Sequence, residues 1–263
     1  MAKFMSEREI KSGNQKVLFK QTGQGLPLIF LHGWAFPSRK WKKLAGQLAD
    51  QGFCVYLLFL PGFGRTSPPP KPWSVSDFSE FVLKFAQKQN LKKFFLLGHS
   101  FGGRIAIKLA ATHSEKLLGL ILCGAAGIRP KRGIRYWSFF ALAKIGTFLF
   151  SFFPLSLFES FARRFLYFLV RERDYYKAKG VMRETMKKVV EEDLTSFLPK
   201  IKVPTLIIWG EKDKVVPVSN AYIMGSKVSN SEVVVFKDAG HALPFQKTKE
   251  LAKIVREFCR SLK

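Results

Sequence analysis

Short continuous apolar runs alternate along this chain with stretches in which apolar positions recur every three or four residues. The runs at 26–31, 53–60, 93–97, 117–123, 204–209 and 232–236 have the length and the Val, Ile, Leu and Phe content of strands buried on both faces. Residues 38–50, 76–89, 103–111 and 244–262 carry the helical period. Asp77 and Glu80 suit the positive N-terminal end of the second of these helices. Two further strands at 8–12 and 16–21 open the chain, the usual place for an antiparallel edge. Such alternation predicts an α/β fold: a mostly parallel, twisted sheet with helices on both faces.

The rhythm breaks between 127 and 197, where no strand pattern appears and aromatic residues crowd together with Arg and Lys flanking them. This predicts a core in two parts, 1–126 and 198–263, interrupted by a helical insertion over 127–197. The longest apolar stretch, 136–153, approaches spanning length, yet Lys144 stands at its middle and Pro154 ends it. Ser138, Ala141, Lys144 and Thr147 give it a narrow polar stripe, so it reads as a packed lid helix rather than a membrane span. The aromatic face beside Arg129, Lys131, Arg132, Arg135, Arg163 and Arg164 leaves open a second reading, peripheral contact with an anionic membrane surface.

Composition narrows the class. A chain of 263 residues, 47% hydrophobic, can bury one large core with an inserted subdomain. The net charge of +25 favours anionic surroundings, but the basic residues are spread out rather than gathered into an arm or stripe. With no helix-turn-helix, zinc-ligand or RNA-binding pattern, nucleic-acid binding is not expected, and the charge reads as a solvated surface. Cys54, Cys123 and Cys259 are few, odd in number and set in apolar or helical runs, so they read as reduced core thiols. With no apolar targeting segment near Met1, they point to a cytoplasmic protein.

Candidate chemistry centres on Gly98-His99-Ser100-Phe101-Gly102, which joins a predicted strand to a predicted helix. A serine hydroxyl is a poor nucleophile at neutral pH. It becomes a good one when a sharp turn lifts it clear, a base takes its proton and amide N–H groups await the oxyanion. Such a turn demands small residues two before and two after the serine, which Gly98 and Gly102 supply. Gly103 stands where the helix would pack closely on the sheet. Glycine occupies 20 of the positions, so the pentapeptide is weak alone and its context carries the inference.

The chain has four histidines. His99 adjoins Ser100 on a sharp turn and points away from its hydroxyl, His113 closes the far end of the following helix, and His32 closes a strand beside Gly33. His241, between the last strand and the last helix, is left as the base. Asp213 in the loop after 204–209 is the preferred acid to orient it, with Glu211 and Asp238 as alternatives. The chain order Ser100, Asp213, His241 fits a nucleophile on a strand-to-helix elbow.

The chain resembles the α/β-hydrolase superfamily from about residue 15 to its end, most closely the capped carboxylesterase and lipase-like branch with an HGW oxyanion loop. The resemblance is carried by His32-Gly33-Trp34, Leu60-Pro61-Gly62-Phe63-Gly64-Arg65-Thr66, Gly98-His99-Ser100-Phe101-Gly102-Gly103, Gly210 with Asp213, and Gly240-His241. It implies an α/β-hydrolase fold whose 127–197 insertion is a cap. It also implies backbone N–H groups of Trp34 and Phe101 as the oxyanion hole, and a pocket walled by Trp34, Phe101, Trp137 and Phe140. The expected activity is hydrolysis of carboxylic esters with short to medium apolar acyl or aryl groups through an acyl-enzyme on Ser100, with no metal and no organic cofactor. The only partner implied is the small-molecule ester. Related dehalogenases and epoxide hydrolases are excluded, since they need an aspartate where Ser100 stands. Thioesterase, C–C hydrolase, lactonase and acyltransferase chemistry use the same triad and stay open, as does a non-catalytic ligand-binding role. Phe59, where many relatives have an acid, and Ala35, where glycine is frequent, depart from the pattern.

Overall fold

In the computed structural model, residues 6–12, 15–34, 38–129 and 178–262 are described. They form an eight-stranded sheet in the order β1-β2-β4-β3-β5-β6-β7-β8. The strands are β1 Ser6–Ser12, β2 Gln15–Thr22, β3 Leu26–Leu31, β4 Phe53–Leu58, β5 Phe94–His99, β6 Leu117–Cys123, β7 Thr205–Gly210 and β8 Ser231–Phe236. β1 and β2 form the antiparallel edge, and every pairing from β4 to β8 is parallel.

The apolar runs are continuous because each strand feeds two cores at once. Leu28 and Phe30 of β3 face one layer with Leu57, Leu97, Ile121 and Ile208, while Ile29 and Leu31 face the other with Leu96, Leu122 and Ile207. This is the period-two alternation of a strand covered on both sides. Helices α1 Ser38–Asp50 and α7 Thr248–Ser261 cover the first layer, α7 through Leu251, Ala252, Val255 and Cys259. Helices α2 Val75–Lys88 and α3 Phe101–Thr112 cover the second. The acid expected at the start of α2 completes a capping box: the Asp77 carboxylate accepts the Ser74 N–H at 2.7 Å, and the Asp77 N–H donates to Ser74 Oγ at 3.2 Å.

Several details differ from the sequence expectation. β4 ends at Leu58 rather than at residue 60, because the Leu60 N–H turns to His32 Nε2 at 3.2 Å and the Phe59 carbonyl accepts Thr66 Oγ1–H at 3.2 Å. A helix not expected, α5 Ser219–Lys227, lies between β7 and β8. The final helical stretch is two elements, α6 Leu243–Gln246 and α7. Cys123 and Cys259 are buried free thiols, but Cys54 is only half-buried.

Of the expected insertion, residues 130–177 lie outside the described residues, and with them the apolar stretch 136–153 and both Trp137 and Phe140. Among the described residues no helix is long and apolar enough to cross a membrane. The two described stretches that flank 130–177 are bonded to each other, Leu194 N–H to the Gly127 carbonyl at 2.8 Å. Helix α4 Val181–Glu191 then rests on the core. The Trp73 N–H donates to Thr185 Oγ1 at 3.2 Å, and the buried Arg104 of α3 donates to the Glu192 carbonyl at 2.7 Å. A cation at the C-terminal end of a helix meets its unpaired carbonyls and its negative dipole. Burial lowers the Arg104 pKa to about 10, which leaves it charged at neutral pH.

Candidate active site

The site is assembled at the carboxyl edge of the parallel strands, where open α/β sheets bind ligands. Ser100 follows β5 directly and caps α3 with φ 53° and ψ −113°, a backbone conformation that L-residues rarely adopt. Tight packing explains why it persists. A Cβ on Gly102 would run into the Leu31 backbone carbonyl, one on Gly98 would come within 2.5 Å of the Gly102 carbonyl, and one on Gly103 would strike Ala125. The turn is also tied to its neighbours: Ser100 N–H donates to the Cys123 carbonyl at 3.3 Å and Gly102 N–H to the His32 carbonyl at 3.1 Å.

His241 arrives from the loop after β8. Its Nε2 is 3.0 Å from Ser100 Oγ and its Nδ1 is 2.8 Å from Asp213 Oδ2, so one imidazole bridges hydroxyl and carboxylate. Neither alternative acid takes this place. Asp238 is exposed and pairs with Lys212 at 3.2 Å, and Glu211 is exposed. The Asp213 carboxylate is 1% exposed, and its second oxygen accepts the N–H groups of Val215 at 2.8 Å and Val216 at 2.9 Å. A buried carboxylate that accepts on both oxygens is held in a fixed orientation. Trp209 Nε1–H, bonded to the Val216 carbonyl at 3.0 Å, braces the same loop.

The other histidines behave differently. Buried His32 has Nδ1 2.6 Å from the Gly33 carbonyl, which makes that nitrogen the donor and leaves Nε2 to accept from Leu60. Burial lowers its pKa to about 4. His99 Nδ1 is 2.9 Å from the Cys123 carbonyl, and burial, followed by the nearby His241, lowers its pKa to about 3. His113 is at the far end of α3, against Thr112.

Around the serine stands an aromatic group that includes Trp34 and Phe101. The Trp34 ring is 5.0 Å from both Phe63 and Phe101, edge to face, and Phe78 packs on Phe101 at 5.1 Å. Sequence reasoning missed three contributors. Gly124 has φ +50°, and a Cβ there would lie 3.4 Å from Asp213 Oδ2 and 3.5 Å from His241 Nδ1; its position after the apolar run of β6 was the available sign. Trp209 reads in the sequence only as a strand residue. His99, set aside because it cannot reach the hydroxyl, has its ring centroid 4.8 Å from that of His241.

Comparison with known proteins agrees with this fold. The chain is 27% identical over 273 residues to the AB hydrolase superfamily protein YisY of Bacillus subtilis, covering 96% of this chain and 98% of that one. It is 25% identical over 261 residues to a 2-hydroxy-6-oxononadienedioate/2-hydroxy-6-oxononatrienedioate hydrolase of Escherichia coli, covering 92% and 90%. The solved structure of a bacterial membrane phospholipase A superposes with a TM-score of 0.76 at 25% identity, covering 98% of this chain and 86% of that one. The family model described as alpha/beta hydrolase fold matches residues 27–248. With that match spanning the elbow, the acid loop and the histidine loop alike, the chain belongs to the alpha/beta hydrolase family.

Proposed function

We propose that this protein is a serine hydrolase of carboxylic esters carrying short to medium apolar acyl or aryl groups. The observation that carries the reading is the continuous relay from Ser100 Oγ through His241 to Asp213, at 3.0 and 2.8 Å. Ser100 Oγ attacks the ester carbonyl carbon as its proton passes to His241 Nε2. Asp213 stabilises the imidazolium through Nδ1–H. The negative charge on the former carbonyl oxygen falls to the backbone N–H groups of Trp34 and Phe101. Phe101 is the first residue of α3, where an N–H has no acceptor within its own helix. The Gly102 and Gly103 N–H groups are already taken by the His32 and Ser100 carbonyls. Collapse of the tetrahedral intermediate breaks the ester C–O bond, and the leaving alkoxide takes the proton from His241. Water then attacks the acyl-enzyme, giving its proton to His241, and the acid leaves as Ser100 regains its hydrogen.

The apolar preference is supported by the cluster of aromatic rings at Trp34, Phe63 and Phe101 beside the elbow, which favours a hydrocarbon over a charged group. Trp137 and Phe140 complete the proposed pocket, with 127–197 as its cap. Buried free thiols at Cys123 and Cys259 fit a reducing, cytoplasmic setting. A second reading, C–C bond hydrolysis on the same three residues, is favoured by the likeness to the Escherichia coli hydrolase.

Turnover of p-nitrophenyl esters from acetate to decanoate by the wild-type protein and by Ser100→Ala tests the proposal. The expected result is a maximum at short to medium chains that disappears in the variant. Equal turnover by both proteins, or activity confined to a vinylogous diketone substrate, would reject the ester reading.

A further inference from the structure

We propose that His99 is a positioning residue for the catalytic histidine: its buried ring is the wall that fixes the plane of His241. The inference rests on the triad reading above and deepens it. The His99 ring has two aromatic neighbours, tilted by 37° against His241 at 4.8 Å and by 59° against Trp41 at 5.3 Å. Trp41 is held in turn by Phe30 at 4.8 Å and Phe245 at 4.3 Å, and it is fully buried. His99 cannot spin about its own axis, because Nδ1–H is committed to the Cys123 carbonyl at 2.9 Å. That carbonyl also accepts the Ser100 N–H. One backbone oxygen thus sets both the serine and the ring beside its base.

The chemistry needs such a wall. During one cycle His241 takes a proton from Ser100 and gives it to the leaving group, so Nε2 must stay on line with two oxygen positions while the ring gains and loses charge. Hydrogen bonds to Asp213 and Ser100 fix the two ends of the imidazole but leave rotation about the line joining them. A flat, neutral surface against one face limits that rotation and keeps water from it. Gly33 also borders the His99 ring: a Cβ there would lie 3.3 Å from His99 Cδ2, so a side chain at that position would press on it.

Two substitutions separate ring from hydrogen bond. His99→Phe keeps a flat ring and loses the donor, while Ser100 N–H still serves the Cys123 carbonyl. His99→Asn keeps a donor and loses the ring. The probe is the rate at which a fluorophosphonate labels Ser100, a step in which Oγ bonds to phosphorus, fluoride leaves and His241 takes the proton, with no ester substrate involved. Per folded molecule, judged by circular dichroism, we expect His99→Asn to label about tenfold more slowly and His99→Phe within about threefold of wild type. On p-nitrophenyl butyrate kcat should follow the same order with KM changed less than twofold. Wild-type labelling by His99→Asn, or equal losses in both variants, would overturn the role of the ring. Labelling without ester turnover in the wild type would reject the esterase reading while still deciding the role of His99; a wild type that does not label at all would overturn both.

Discussion

Two loops at the same edge of the sheet hold the ends of the relay by opposite means. The turn after β5 carries Ser100 in a strained backbone state that persists only because β3, β6 and three glycines shape the space around it. The loop after β7 carries Asp213 in a relaxed state supported by its own amides, two and three residues on. Ser100 therefore depends on distant parts of the chain, while Asp213 depends on its neighbours. Damage to the fold should reach the serine first, and damage to the carboxylate should cost chemistry without costing the fold.

Substitutions can sharpen or break that contrast. Ser100→Ala should lower kcat by roughly a factor of 10⁶, with an unchanged melting temperature in a thermal scan. Asp213→Asn should lower it by about 10⁴ and also leave the protein folded, since Asn retains an oxygen for the Val215 and Val216 N–H groups; loss of the cooperative melt would show that the acid loop is not self-supporting. Gly102→Ala should behave oppositely. Its Cβ meets backbone at Leu31, which cannot yield as a flexible side chain would, so destabilisation of about 3 kcal/mol or more is expected, together with loss of activity. Gly124→Ala probes the seam between the two loops. Its positive φ costs about 1 kcal/mol, and the methyl beside Asp213 and His241 should lower kcat more than it raises KM.

A further effect is one of pH. His32 and His99 are buried and neutral in the fold, with pKa values of about 4 and about 3 against an ordinary value of 6.5. Below about pH 6.5 the unfolded chain binds protons that the folded protein refuses, so the stability present above that pH is lost as pH falls toward 4. For His32 the loss amounts to roughly 3 kcal/mol at pH 4. Urea titrations between pH 7 and 4 should show this decline, and it should be shallower in His99→Phe. A flat profile would contradict the burial of both rings.

Much of this was legible in the sequence, for physical reasons. The parallel strands were visible because burial on both faces writes an unbroken apolar run, and His241 and Asp213 were reachable because each sits just past a strand that ends at the edge of the sheet. Helix α5 was not visible. Of its residues only Ala221 and Met224 are buried, so it lacks a wide apolar stripe, and Gly225 interrupts the pattern. The early end of β4 was hidden because it is decided by His32 and Thr66, partners remote from the apolar run they interrupt. The part of His99 was missed for a related reason: adjacency to Ser100 shows what a ring cannot reach along the chain, but not that a loop more than a hundred residues later comes back to lie against it.

The most direct test is to mix the protein rapidly with p-nitrophenyl butyrate, quench in acid and read both released p-nitrophenol and intact mass. The expected result is a butyryl adduct mapped to the peptide containing Ser100, formed on the path to product and absent from Ser100→Ala. Product forming at the wild-type rate in that variant, or an adduct on any other side chain that accounts for turnover, would contradict it.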